Sequence, residues 1–224
     1  MTRSIQLLTI DAAGTLIRPW PSVGLIYANT AKQFGIPAEE KLTEKYFLNA
    51  LKKAQKEDSQ MKVNEKDFWR KVVNETLRPF GETTDLDPVF EELWNLFAKG
   101  DCWRLSDGVK ETLHELKKRG YQLAVLSNND SRLRPVLGDL EVNHYFQEIF
   151  ISSEIGYEKP DPRIFKFVEE KMELPPEHII HLGDSYTRDF EGARNAEWSA
   201  ILFGEYNSPT RSINCFPELL DILL

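Results

Sequence analysis

The stretch LLTIDAAGTLI, residues 7 to 17, carries the reading of the whole chain. An apolar run ends at one carboxylate, Asp11, and the chain then breaks at Gly14 and Thr15. A short, unbroken apolar run closed by turn formers reads as a strand buried on both faces. Three further runs have the same character: YQLAVLS at 121 to 127, EIFIS at 148 to 152 and HIIHLG at 178 to 183, beside the first at 5 to 10. Helical patterns separate the last three. DGVKETLHELKKRG, 107 to 120, sets Val109, Leu113 and Leu116 on one face and ends in basic residues and Gly120. DPRIFKFVEEKM, 161 to 172, has Pro162 where a missing N–H costs nothing and Ile164, Phe165 and Val168 on a face. Strand, helix and strand in alternation imply an α/β fold with a parallel sheet and right-handed crossovers, and ligands then gather at the carboxyl ends of the strands.

Residues 18 to 100 show no comparable strand run. YANTAKQFG, KYFLNALKKAQK, KDFWRKVVNETLRPFG and PVFEELWNLFAKG each read as amphipathic helices, so a helical module inserted after the first strand is the economical organisation. The domains expected are residues 1–17 plus 101–224 as the core and 18–100 as the insert. The tail from SPTRSIN to PELLDILL is expected to close the core with an irregular loop and a short helix. Trp20, Tyr27, Phe47, Phe68 and Trp69 recur at helical spacing, which marks more of them as helix core than as substrate contacts.

At 224 residues the chain can bury a sizeable core, and 41% hydrophobic residues is ordinary for a soluble globular protein. A formal charge of −8, from 28 basic and 36 acidic residues, argues against a surface that binds a phosphate backbone, so nucleic acid is not expected as a partner. Cys102 and Cys215 lie far apart without metal-like spacing, which fits a reducing cytoplasm. The apolar run before Asp11 is short for a signal peptide, and no segment approaches about 18 uninterrupted apolar residues. Neither secretion nor a membrane span is expected.

Each candidate polar group falls where one of the expected strands stops, or shortly after. Asp11 follows the first, Ser127 and Asn128 the second, Lys159 lies past the third, and Asp184 follows the fourth with Asp189 behind it. Alone, each has a plain structural account: a turn aspartate before Gly-Thr, a loop with a helix cap at 127 to 130, an exposed loop lysine, a cap at Asp184 and Ser185 for a helix through DFEGARNA. Together they can work as a site. A carboxylate can attack an electrophilic carbon or phosphorus and form a covalent intermediate that water hydrolyses. Ser127, Asn128 and backbone N–H groups can hold an anion while Lys159 neutralises charge. Asp184 and Asp189 add hard oxygen ligands beside Asp11, a set suited to Mg²⁺, and a metal would also mask the repulsion between a carboxylate and a phosphate dianion.

The set DAAGTL, LSNN, EKPDPRIF and GDSYTRDFEGA resembles, in order and across the whole chain, the four motifs of the haloacid dehalogenase-like hydrolases. The resemblance implies a Rossmann-like three-layer core and, since the insert follows the first motif, a first-type (C1) helical cap. It implies Asp11 as nucleophile, Ser127 as anion ligand, Lys159 as the neutralising lysine, and Asp184, supported by Asp189, with the Ala13 carbonyl as metal ligands. A small phosphorylated molecule is the partner implied, for a monomer or homodimer.

One position departs from the pattern. Phosphatases of the family usually carry Asp two places after the nucleophile, to protonate the leaving group and activate water, and here that place holds Ala13. Without it, general acid–base help of about 10²–10⁴-fold is lost. Three readings follow: a phosphatase limited to good leaving groups, a carbon–halogen hydrolase whose departing halide needs no proton, or a binding module without turnover. The fourth motif leans to the first, because dehalogenases resembling this chain lack the GDS arrangement. Glu154 and Glu158 are the nearest carboxylates by sequence order, and both read as exposed loop residues. Arg18 can bind a carboxylate, although a solvated arginine is the plainer account.

Overall fold

The computed structural model describes residues 5–61, 64–81, 85–205 and 211–223. The chain divides into two compact units, Met1–Arg18 with Arg104–Leu224, and Pro19–Trp103. Strands in chain order are β1 (Leu7–Ile10), β2 (Ile17–Pro19), β3 (Trp103–Leu105), β4 (Gln122–Ser127), β5 (Glu148–Ile151), β6 (Ile179–Gly183), β7 (Ser199–Phe203) and β8 (Ser212–Ile213). Short β2 and β3, where the chain leaves and re-enters the first unit, pair with each other.

The other six strands form one sheet in the order β5-β4-β1-β6-β7-β8, and every ladder in it is parallel. β1 and β6 are buried at every position, as strands covered on both faces must be. Their apolar side chains meet the helix Pro162–Met172 in a core that includes Leu7, Leu126, Ile164, Phe165, Val168 and Trp198. Trp198 is fully buried, edge-on to Phe165 at 5.1 Å, and its indole N–H donates to Glu169 Oε1 at 3.0 Å, which satisfies its one polar atom. That helix starts where expected: Asp161 accepts from the Arg163 N–H and Pro162 occupies the first turn. The strand order reverses at β1, since β4 and β5 extend to one side and β6, β7 and β8 to the other, and the crevice at such a point is where ligands bind in open α/β sheets.

The α/β class with a parallel sheet is as the sequence implied, and its four expected strands are present, trimmed by a residue or two. Two strands of this sheet were not expected, nor was the separate β2–β3 pair. SAILF forms β7, and Ser212–Ile213 of the tail pairs with it as β8 where an irregular loop was expected; residues 206–210 lie outside the described set. The tail does end in a short helix, Leu219–Ile222. The segment read as a helix through DFEGARNA begins with a π-helical turn, Tyr186–Glu191, before Gly192–Asn195.

The second unit is built from the helices Val23–Gln33, Glu40–Met61, Glu65–Leu77 and Asp87–Leu96. Ser22 and Asn64 cap two of them by accepting from the N–H groups of Leu25 and Lys66. Tyr27, Phe47, Val72, Leu77, Phe90 and Leu93 form its own core, with Phe68 and Trp69 packed against it. Trp20 is 41% exposed. The two ends of the unit meet where the Trp20 N–H donates to the Cys102 carbonyl at 2.9 Å. No helix among the described residues is long and apolar enough to cross a membrane.

Candidate active site

Asp11 sits one residue beyond β1, anchored by its N–H to the Leu182 carbonyl of β6 at 2.8 Å, and it is 6% exposed. Parallel pairing of β1 with β4 and β6 brings Ser127 and Asp184 to the same edge of the sheet. Lys159 reaches the edge from the loop before the helix Pro162–Met172. Its ammonium donates to Asp11 Oδ1 at 2.9 Å, to the Leu126 carbonyl at 2.7 Å and to Asp189 Oδ1 at 2.6 Å. An ammonium has three N–H groups, so all are taken. Burial works against its charge, and the flanking Asp11 and Asp189 carboxylates more than offset this, raising Lys159 above its ordinary value. The exposed-loop account of Lys159 is therefore set aside.

Asp189 is buried in the turn after β6. Desolvation opposes its ionisation, but Lys159 and His181 hold it far below the usual carboxylate range. Its second oxygen accepts from the Ser185 N–H at 2.8 Å. Gly183 makes room for it, because a Cβ there would lie 2.3 Å from the Asp189 carboxyl carbon. Asp184, half-buried, has the opposite character. Burial, then the negative charges of Asp11 and Asp189, push it up to about 6. Gly14, at φ 97°, lets the Asp184 carboxylate lie against the backbone after Asp11, since a Cβ there would come within 2.6 Å of its oxygen.

Asp11, Asp184 and Asp189 each offer an oxygen within 4.8 Å of the others. Three carboxylates against one buried ammonium leave negative charge uncompensated, and all the donors are hard oxygens, so the set fits a small divalent cation better than a soft one. The Ala13 side chain is exposed, and its carbonyl accepts no hydrogen bond among the described residues, which leaves it open as a fourth oxygen.

Ser127 is buried, with a hydroxyl that takes no hydrogen-bond partner among the described residues. Asn128 is engaged differently: its amide donates to the Lys159 carbonyl at 2.8 Å and its oxygen accepts the Lys159 N–H at 2.7 Å, a two-point clamp on the lysine's backbone. Ser185 caps the turn after β6 through the Arg188 N–H. Glu154 is paired with Arg134 at 2.6 Å, Glu158 is exposed, and Arg18 is exposed in the middle of β2.

Two residues were missed from the sequence. His181 in β6 and Thr9 in β1 are fully buried and level with each other in the ladder, 2.8 Å apart, and His181 reaches Asp189 Oδ1 at 3.1 Å. The signal was there as a single polar residue in each of two apolar runs, LLTI and IIHLG.

A model of the haloacid dehalogenase-like hydrolases matches residues 5–197. The chain is 33% identical over 200 residues to haloacid dehalogenase-like hydrolase domain-containing protein 3 of Bos taurus, spanning 85% of this chain and 78% of that protein. That protein represents the branch which SNNDSRL and KPDPRIF resemble. Glyceraldehyde 3-phosphate phosphatase of Methanothermobacter thermautotrophicus is 40% identical over 92 residues, 41% of either chain. In fold, the chain matches the HAD-hydrolase YfnB of Bacillus subtilis, solved bound to magnesium, with a TM-score of 0.82 over 99% of both chains at 20% identity. The family match runs from the start of β1 past the turn that carries Asp189, through every strand-end group described above, and on that ground the chain belongs to the haloacid dehalogenase-like hydrolases.

Proposed function

We propose that this hydrolase is a Mg²⁺-dependent phosphatase of restricted scope, acting through a covalent aspartyl phosphate on a small phosphorylated metabolite with a good leaving group. The observation that carries this reading is Asp11 held 2.9 Å from Lys159 beside two further carboxylates, with alanine at the place of the proton donor. Lys159 binds one Asp11 oxygen, and the other attacks phosphorus while the bond from phosphorus to the leaving oxygen breaks, its electron pair going with the leaving group. Water then hydrolyses the aspartyl phosphate, releasing inorganic phosphate and regenerating Asp11. Ser127, with its hydroxyl free, holds a phosphoryl oxygen, and Asn128 acts through the Lys159 backbone. Asp11, Asp184 and the Ala13 carbonyl, with Asp189 behind them, would hold Mg²⁺, whose charge masks the repulsion between carboxylate and phosphoryl group.

No side chain at Ala13 can transfer a proton, so the leaving group must depart as a weak base. Acyl phosphates and activated aryl phosphates meet that condition. The inserted helical unit, the expected cap at 18–100, is assigned the choice of substrate. Ala13 also suits carbon–halogen cleavage, where the halide leaves unprotonated, but the three-carboxylate cluster favours the phosphoryl reading.

Hydrolysis of p-nitrophenyl phosphate and acetyl phosphate with Mg²⁺, by the native chain, Asp11→Asn and Ala13→Asp, tests this. Native turnover that vanishes in Asp11→Asn supports it, and Ala13→Asp should then extend activity to alkyl esters, by up to about 10²–10⁴-fold. Turnover by Ala13→Asp alone would overturn it in favour of haloacid cleavage or ligand binding without catalysis.

A further inference from the structure

We propose that His181 is a positioning residue of this site: held by Thr9 as the tautomer protonated on Nε2, it donates to Asp189 and so sets the carboxylate that orients Lys159 against Asp11. This rests on reading Asp11 and Lys159 as the working pair. The tautomer follows from counting donors. Lys159 has used its three N–H groups on three oxygens, so it has none for His181 Nε2, 3.4 Å away. Nε2 faces Asp189 Oδ1 at 3.1 Å, and two bare acceptors at that distance would repel. The proton therefore sits on Nε2 and is donated to Asp189. Nδ1 is then the acceptor, and its partner 2.8 Å away is the Thr9 hydroxyl, whose alternative, the Ile180 carbonyl, is longer at 3.4 Å.

Packing keeps the ring in this pose. Ladder pairing puts Thr9 and His181 side by side on β1 and β6, and Phe165 closes edge-on over the imidazole with ring centres 6.5 Å apart. Burial, then the Lys159 charge, lower the His181 pKa, consistent with a neutral ring. Asp189 is thereby fixed from three sides, by Lys159, His181 and the Ser185 N–H next to Asp184. One buried carboxylate links the lysine on the nucleophile to the backbone that carries the other acidic group. A ring that donates to a carboxylate in this way sets its orientation, and loss of such partners around metal sites costs about 10–100-fold in affinity or activity.

The test begins on the unaltered full chain, with two-bond ¹H–¹⁵N NMR of the histidine rings. His114 and His144 are exposed and His178 is half-buried, and the His181 signal is identified as the one absent from His181→Gln. An Nε2–H pattern that shifts in Thr9→Val is expected, and an Nδ1–H pattern would overturn the proposal. In His181→Leu we expect Mg²⁺ binding by calorimetry, or kcat on p-nitrophenyl phosphate at little-changed KM, to fall about 10–100-fold, with most of the loss recovered in His181→Gln, whose amide can donate to Asp189. Equal losses in both variants, or none in a folded His181→Leu, would refute it. Should the native chain lack phosphatase activity, the function proposed above fails, while tautomer and Mg²⁺ affinity still decide the role of His181.

Discussion

The Lys159 side chain is 1% exposed between two carboxylates, and taking away its ammonium leaves Asp11 and Asp189 ionised with no cation between them. Breaking a buried pair from one side is strongly destabilising, so Lys159→Met should cost about 3–5 kcal/mol by urea denaturation. A loss under 1 kcal/mol would mean that water reaches the pair. Asp184 gives the site a pH dependence of the opposite sense. Its folded pKa lies near 6 against an ordinary 3.8, so the folded state prefers it protonated. The stability it contributes is full below about 4 and is lost as pH rises through about 6. Metal-free thermal melts of the native chain and Asp184→Asn should therefore diverge over that window, with the native chain losing ground towards pH 7, and Mg²⁺ should close the gap. Asp189, with its depressed pKa, supplies stability that is lost only in stronger acid. At Gly14, φ 97° and the nearby Asp184 oxygen both oppose a side chain. Gly14→Ala should cost about 1–3 kcal/mol and weaken Mg²⁺ binding in the same protein.

At the scale of elements, the loop holding Lys159 is tied to the end of β4 by the Asn128 clamp. Asn128→Ala leaves the Lys159 N–H and carbonyl without their partners, at about 1–3 kcal/mol for a buried group left unpaired. Asn128→Asp keeps the acceptor but sets a bare carboxylate oxygen against the Lys159 carbonyl, two acceptors that repel, and should melt no higher than Asn128→Ala. Equal melting of all three would show that the clamp has no part in holding the loop. The elements themselves were unequally legible. β1, β4, β5 and β6 stood out as continuous apolar runs, because a parallel strand covered on both faces needs no polar alternation. SAILF is the same kind of run and no shorter than EIFIS, so β7 was legible by the same sign that marked β5. β8 has only two residues and exists through its pairing with β7, so nothing local marks it.

At the scale of the whole molecule, the insert has a core of its own and ends that meet at the Trp20–Cys102 hydrogen bond. A fragment of residues 19–103 should fold alone into a helical domain that unfolds cooperatively by circular dichroism. A random-coil spectrum would show that its helices need the rest of the chain. By itself, the sequence determined the α/β class and the strands whose ends carry Asp11, Ser127 and Asp184, because each follows from local pattern, while the alanine at position 13 stood out only against the family it resembles. Only the tertiary structure decided which partner each polar group takes. It turned Asn128 to the backbone of Lys159, drew Asp189 onto the lysine, and added His181 and Thr9 to the site. A hydrogen bond between groups 148 positions apart, as between Lys159 and Asp11, depends on strand register and on which other donors have already been used. Neither is fixed until the sheet has formed.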